Sequence, residues 1–371
     1  MKRSPLARTR SMPRRRFLKG SVLAAGAATA GASLLSAGLS AANRDHDQDD
    51  NDDRRSITRG DAAILRFLAA AEIIETDLWQ QYTELGGVNA PTSGYSAALG
   101  VLDEDMGQYI SDNTDDEMSH FTFLNAYLAS KGVAAVDLDP FRTLPGSAAT
   151  GAQQIGRLTN LMQLAVDTSW WTRYRSTKNP DLGATFPQAI PSLAVGQHPG
   201  IPRNNADLGN PNAISDHVQA IANTAAFHFA FIEQGGTSLY SKMAQKCTSL
   251  EVLRVVVSIG PTEAMHFQTW HDKAGNAPAV TDGALVFPDM STGKFASDEL
   301  FQKNLIMPEP CEFLRASLPP CSIVRPTNLR NAAMDAANAF IGNGLFIGQT
   351  AQFFEALRDL AADADAARRQ V

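Results

Sequence analysis

The chain has 371 residues, a formal charge of −7 and an even spread of residue types: 44% hydrophobic, 27 Gly, 19 Pro and three Cys. That composition excludes a collagen-like, low-complexity or disulfide-stapled chain and leaves a globular protein of one large or two smaller domains. The acidic balance argues against nucleic acid and anionic membranes as partners.

Residues 1–42 stand apart, with eight Lys or Arg, no acid, and a small and apolar run from Ser21 to Leu39. Pro13-Arg14-Arg15-Arg16-Phe17-Leu18-Lys19 resembles a twin-arginine export signal, with Pro13 where Ser or Thr is usual. Ser40-Ala41-Ala42 offers a small-residue cleavage site, so a mature chain starting near Asn43 is expected in the periplasm or outside the cell. No stable membrane anchor is expected after that cleavage, and losing eight cations takes the formal charge to −15. Residues 43–58 are rich in Asp and read as an acidic flexible linker.

Helical spacing begins at Thr58. Leu65, Leu68, Trp79 and Tyr82 form one stripe, Gly86-Gly87 stops it, and Glu72 and Glu75 sit within the stripe. A second run is expected from about Ser96 to Ser130, with Met106, Ile110, Glu117, His120, Leu124 and Tyr127 aligned. Its polar segment Ser111–Asp116 reads as an interruption or as the cap of a separate helix. Residues 132–212 are rich in Pro and Gly, with one helix expected around Gln154–Tyr174.

The third long helix runs from about Ala213 to Gln245, with His217, Ile221, Phe229, Glu233 and Tyr240 on one stripe. The fourth covers Leu250 to Gly275 and aligns Val256, Ile259, Glu263, His266 and Trp270. Gly260-Pro261 inside it is expected to kink or restart the axis. About fifty loop-rich residues follow, then a closing helix over Thr327–Ala362 that Gly342 and Gly344 interrupt.

Two Glu-x-x-His-Phe blocks, Glu117 to Phe121 and Glu263 to Phe267, carry the chemistry. Residues three apart share one helical face, so each block aims a carboxylate and an imidazole the same way. Upstream of each lies one Glu, and the two segments match: Glu72-Ile-Ile-Glu-Thr-Asp-Leu-Trp79 against Glu233-Gln-Gly-Gly-Thr-Ser-Leu-Tyr240. The chain thus reads as two helical hairpins joined by a long crossover.

One Glu from each of two helices and Glu-x-x-His from each of two others is the ligand set of a dinuclear metal site in a four-helix bundle. Four carboxylates on core-facing stripes repel one another, and two divalent cations offset that charge. Carboxylate-rich, nitrogen-poor ligation suits iron or manganese. The other histidines are weaker candidates: His228 is off the stripe, His217 is four turns from Glu233, His271 reads as near the surface, and His46 and His198 sit in loops. Cys247 reads as a buried apolar residue, while Cys311 and Cys321 are spaced to close a small loop in an oxidising compartment.

The pattern resembles the ferritin-like superfamily, and most closely its exported ferritin-like or desiccation-related proteins. The residues that carry the resemblance are Glu72 with Trp79, Glu117 and His120, Glu233 with Tyr240, and Glu263 and His266. It covers about residues 59–275 and implies an all-α four-helix bundle, with a long crossover between its second and third helices. Residues 276–371 are then a loop-rich segment and a C-terminal helical extension. By the same resemblance Glu117 and Glu263 bridge two metals, His120 and His266 supply one imidazole to each, and Glu72 and Glu233 are terminal carboxylates. Glu75, seven residues before Tyr82, rivals Glu72 for the first place. Trp79 replaces the usual Tyr, and Gly235-Gly236 and Pro261 are expected to bend two ligand helices.

Two functions follow as expectations. The first is an exported protein with redox chemistry at a di-iron or di-manganese centre, oxidising ferrous ion or removing peroxide. The second is a non-catalytic stress or desiccation protein in which the bundle and any metal are structural.

Overall fold

Thr58 starts the first helix where the spacing places it: its hydroxyl accepts from the backbone N–H of Asp61 at 3.0 Å, the bond that defines an N-cap. The computed structural model describes residues 57–173, 187–290, 309–312, 317, 319–323 and 330–370. The export-signal reading over 1–42 and the linker reading over 43–58, except for Ile57 and Thr58, lie outside the described residues.

Four long helices form the bundle: α1 (Arg59–Gly86), α3 (Met106–Ser130), α6 (Asp216–Ala244) and α7 (Leu250–Ala274). Helix α1 packs on α3 and α6 on α7, giving the two hairpins that the repeat implies, with the crossover between α3 and α6. Among the described residues the protein is an all-α four-helix bundle with little strand.

The expected Ser96–Ser130 helix is two helices, α2 (Gly94–Leu102) and α3. The break falls at Asp103, whose side chain accepts from the Asp105 N–H at 2.8 Å and offers the backbone a turn in place of a helix. Ser111–Asp116 lies inside α3 and interrupts nothing. Helix α7 also runs unbroken through Pro261.

The helix expected over Gln154–Tyr174 is a second correction. Among the described residues only the short α4 (Ser169–Arg173) forms there, and Tyr174 lies outside them. The backbone of 157–165 bonds elsewhere: Arg157 to Leu144, Leu158 and Thr159 to the Asp77 carboxylate, Asn160 to Leu345, Leu164 to His198 and Ala165 to Asn343. Leu158, Leu161 and Leu164 are all buried, as an apolar strap needs rather than one helical stripe.

Asp77 anchors this strap to α1. It is fully buried, takes Arg142 Nη1 at 2.6 Å on one oxygen, and takes the N–H groups of Leu158 and Thr159 and the Thr159 hydroxyl on the other. Glu84, two turns on, pairs with the buried Arg157 at 2.6 Å. The short α5 (Asn205–Leu208) closes the crossover.

The C-terminal segment folds back onto the same side. Strands β1 (Val280–Asp282) and β2 (Leu285–Phe287) form a hairpin on α6, and α9 (Ala351–Ala366) packs along α1. The N-terminus of α8 (Ala332–Gly342) is capped from α9: Asp365 accepts from Ala333 and Met334 N–H and from Lys246 Nζ at 2.9 Å. Gly344, at φ 81°, makes the turn between α8 and α9, where a side chain would strike the Gln163 carbonyl. Strands β3 (Glu309–Glu312) and β4 (Pro320–Ile323) pair with Cys311 opposite Cys321, whose side chains lie outside the described residues.

These additions explain an imbalance in the bundle. Helices α1 and α6 are buried around most of their circumference, while α3 and α7 keep one buried stripe and one exposed face. Among the described residues the crossover covers α1, and α3 and α7 each keep an exposed face.

Candidate metal centre

Each hairpin delivers three residues to one point in the core. Helix α1 supplies Glu72, α3 supplies Glu117 and His120, α6 supplies Glu233, and α7 supplies Glu263 and His266. Glu117, Glu233 and Glu263 are fully buried, Glu72 is 1% exposed, and both imidazoles are nearly covered.

The six side chains form two groups able to hold a metal ion: Glu72, Glu117, His120 and Glu263, and Glu117, Glu233, Glu263 and His266. Within each group the donor atoms lie within 4.8 Å of one another, and Glu117 and Glu263 belong to both. His120 Nδ1 stands 3.2 Å from Glu72 and from Glu117 and 3.4 Å from Glu263. His266 Nδ1 stands 3.2 Å from Glu117 and 3.3 Å from Glu233. The two halves mirror the sequence repeat.

A model of the ferritin-like domain family matches residues 60–276, more than half of the chain. The chain belongs to the ferritin-like family. No curated protein and no solved structure matches it.

In this ferritin-like protein the electrostatics follow from burying acids together. Burial and the carboxylates of Glu233 and Glu72 push Glu117 up to about 8. Burial and the charges of Glu117, Glu72 and Glu233 hold Glu263 well above the usual range. Burial would raise Glu72 as well, but the adjacent His120 keeps it below its ordinary value. Burial works against a charge on His120, yet Glu117 and Glu72 lift it to about 10. The site demands positive charge, whether protons or cations.

Metal ions fit that demand on the observed atoms. Both oxygens of the buried Glu263 lack a hydrogen-bond partner among the described residues, a costly state for a carboxylate with no cation to face. Each imidazole also has its far nitrogen engaged, as a metal-binding imidazole needs. His120 Nε2 is 3.1 Å from Thr262 Oγ1, whose own proton goes to the Ile259 carbonyl at 2.6 Å. Thr262 must therefore accept, so His120 carries its hydrogen on Nε2. His266 Nε2 is 3.0 Å from Asp116 Oδ2, a half-exposed carboxylate that accepts its hydrogen.

Asn113 ties the two halves together. Its Nδ2 donates to Glu117 Oε1 at 2.9 Å and to Glu233 Oε1 at 3.0 Å, while its Oδ1 accepts from Trp270 Nε1 at 2.7 Å. Both of its N–H donors are used, one on each carboxylate, so Glu117 and Glu233 are coupled through a single amide. The Tyr240 hydroxyl donates to Glu72 Oε1. Trp79 stacks on Trp270 at 5.3 Å and on Phe229 at 4.7 Å, an apolar wall where the repeat has Tyr240.

The remaining candidates separate cleanly. Glu75 is outside both groups, though it is buried beside them. His271 is fully buried and stacked on Trp171 at 4.7 Å, which corrects the surface reading: it lies in the last turn of α7 under the crossover's tryptophans. His228 lies 2.8 Å from the Tyr82 hydroxyl, and burial pushes it down to about 3, so it stays neutral. His217 pairs with Asp282 and Asp207. Cys247 is buried, and burial lifts its thiol to about 12. His46 lies outside the described residues.

Sequence reasoning missed Asn113, Asp116 and Thr262. Asn113 stands one turn before Glu117 on the same face, a signal that spacing alone contains. Asp116 and Thr262 directly precede a motif Glu and turn toward the opposite helix. The spacing of one helix cannot show that.

Proposed function

We propose that this is an exported ferritin-like protein whose buried Glu and His residues hold two iron or manganese ions and use them for redox chemistry with dioxygen or peroxide. Glu72 and His120 would serve one ion, Glu233 and His266 the other, and Glu117 and Glu263 both. The observation that carries this is the sharing of Glu117 and Glu263 between two four-residue groups, with neither Glu263 oxygen hydrogen-bonded among the described residues. Bound there, the ions would supply electron exchange with a small oxidant, or oxidation of ferrous ion as substrate.

The chain's own residues keep that pocket ordered. Asn113 holds Glu117 and Glu233 by one hydrogen bond each, which favours a preset placement of the two carboxylates. Asp116 and Thr262 fix which nitrogen of each imidazole faces the pocket. Tyr240 steadies Glu72 and stands at the end of an apolar cleft of about 310 Å³ between α6 and α7, lined also by Thr237, Val256, Val257 and Pro261. Trp79, Trp270 and Phe229 form a stacked, buried apolar cluster, with Trp270 bonded to Asn113.

Export rests on the twin-arginine-like segment and the Ala-rich run after it. Among the described residues no helix is long and apolar enough to cross a membrane. The net negative charge supports small solutes rather than nucleic acid as partners.

The near-complete burial of all four paired carboxylates favours a second reading, a stress or desiccation protein whose metal serves stability. Turnover separates the two. Peroxide decay and aerobic ferrous oxidation are measured with wild type and with His266→Ala. A catalyst turns over and the variant loses it while still folded; a structural site shows no turnover in either, and the variant loses thermal stability instead.

A further inference from the structure

The two halves of the centre differ at one place. Aligning the repeats through Glu72 and Glu233 sets Glu75 of α1 against Gly236 of α6, each one turn beyond its glutamate. On the α6 side a Cβ at Gly236 would fall on Glu263 Oε2, so the space is already filled by that carboxylate. On the α1 side the corresponding place carries a full glutamate side chain.

Glu75 is 3% exposed, and its Oε2 is buried with no hydrogen-bond partner among the described residues. A core carboxyl serving only packing would be satisfied by a backbone or hydroxyl partner, as Asp77 is two residues later. The charges acting on Glu75 come from Glu117, Glu72 and Glu233, and the imidazole that offsets them is that of His266. One turn from Glu72 on the same face of α1, and at the repeat position whose counterpart Gly236 abuts Glu263, it faces the shared centre.

We propose that Glu75 is a seventh protein ligand of the centre, taken by the ion held with Glu233 and His266, so that the two metal positions differ in charge and affinity. This rests on the dimetal reading. It breaks the symmetry of the repeat: five carboxylates face the ions in place of four, and the extra one favours the position on its side. The two ions then load in sequence, the His266 side first.

The test is titration of metal-free protein with manganous ion, followed by calorimetry, for wild type and Glu75→Gln, with thermal unfolding of both metal-free proteins. Wild type binds two ions with separable affinities; in Glu75→Gln the tighter one weakens about tenfold or more and the two converge. Thermal unfolding of the two metal-free proteins establishes that both are folded, so that a change in affinity reads the ligand and not the fold. If wild type binds two ions and Glu75→Gln binds both with unchanged affinity, Glu75 is a protonated core carboxyl and the proposal is overturned. If wild type binds none, the dimetal reading itself fails and takes this one with it. Should Glu75→Gln not fold, Glu75→Asp, which withdraws the carboxylate by one methylene, is titrated with the same expectation and the same overturning result.

Discussion

Gly236 lies against the carboxylate of Glu263, and a methyl group on it would occupy the space that Oε2 fills. Gly235, one residue earlier, faces open space. Of the two glycines that read as a bend in α6, Gly236 is thus a clearance for the Glu263 carboxylate, and the helix passes through without a break. Gly236→Ala is expected to displace Glu263 and abolish or halve metal binding. Gly235→Ala keeps the metal and stabilises the helix by about 0.5–1 kcal/mol. Metal content and urea denaturation of the two variants check this, and equal behaviour of both would sink the clearance argument.

Asn113 donates to glutamates from both hairpins through one amide nitrogen. Replacing it with Leu leaves Trp270 Nε1 and two carboxylate oxygens without their partner, at a cost of about 1–3 kcal/mol for the lost indole bond alone. The metal-free protein should suffer more than the loaded one, since cations then take over the carboxylates. Denaturant midpoints with and without manganous ion provide the comparison.

Asp77 makes a prediction about the crossover rather than the centre. Asp77→Ala orphans two backbone N–H groups and leaves Arg142 only its pair with Asp139, and the loss is about 3 kcal/mol or more. The strap over residues 142–165 should become the first site of limited proteolysis, while the bundle helices resist longer. Cleavage beginning in α3 or α7 instead would contradict the anchoring role.

His217 gives a pH dependence with a definite sign. Its imidazole lies 2.6 Å from Asp282 and 3.2 Å from Asp207, with Arg203 beside them. Burial works against its charge, but the two carboxylates raise its pKa above the ordinary value. A raised folded-state value means that its stabilisation is full below about pH 6.5 and fades as pH rises through the folded value. Because the side chain is 36% exposed, the effect is below about 1 kcal/mol. The melting-temperature gap between wild type and His217→Gln should be larger at pH 5.5 than at pH 9.

Much of the centre was readable because helices keep their face over long distances. Glu117 with His120, and Glu263 with His266, needed only the three-residue spacing. Glu72 and Glu233 needed the repeat between hairpins, which also chose Glu72 over Glu75 for the paired group. The polar stretch Ser111–Asp116 was illegible for the opposite reason. It looked like a break because polar residues favour turns, yet Asn113 and Asp116 are polar to serve groups on α6 and α7. The Gln154–Tyr174 helix failed for a related cause. Leu158, Leu161 and Leu164 have a helix-like spacing, but Asp77, Leu345 and His198 take the backbone bonds that a helix would need. His271 was misplaced because nothing within α7 reveals that Trp171 of the crossover covers it.

Metal content per chain, by elemental mass spectrometry of protein purified without chelator, tests the central claim most directly. The account predicts about two iron or manganese ions per chain in wild type and loss of both in Glu263→Ala, since that carboxylate belongs to both groups. No bound metal in wild type, before and after reconstitution with ferrous or manganous ion, would contradict it.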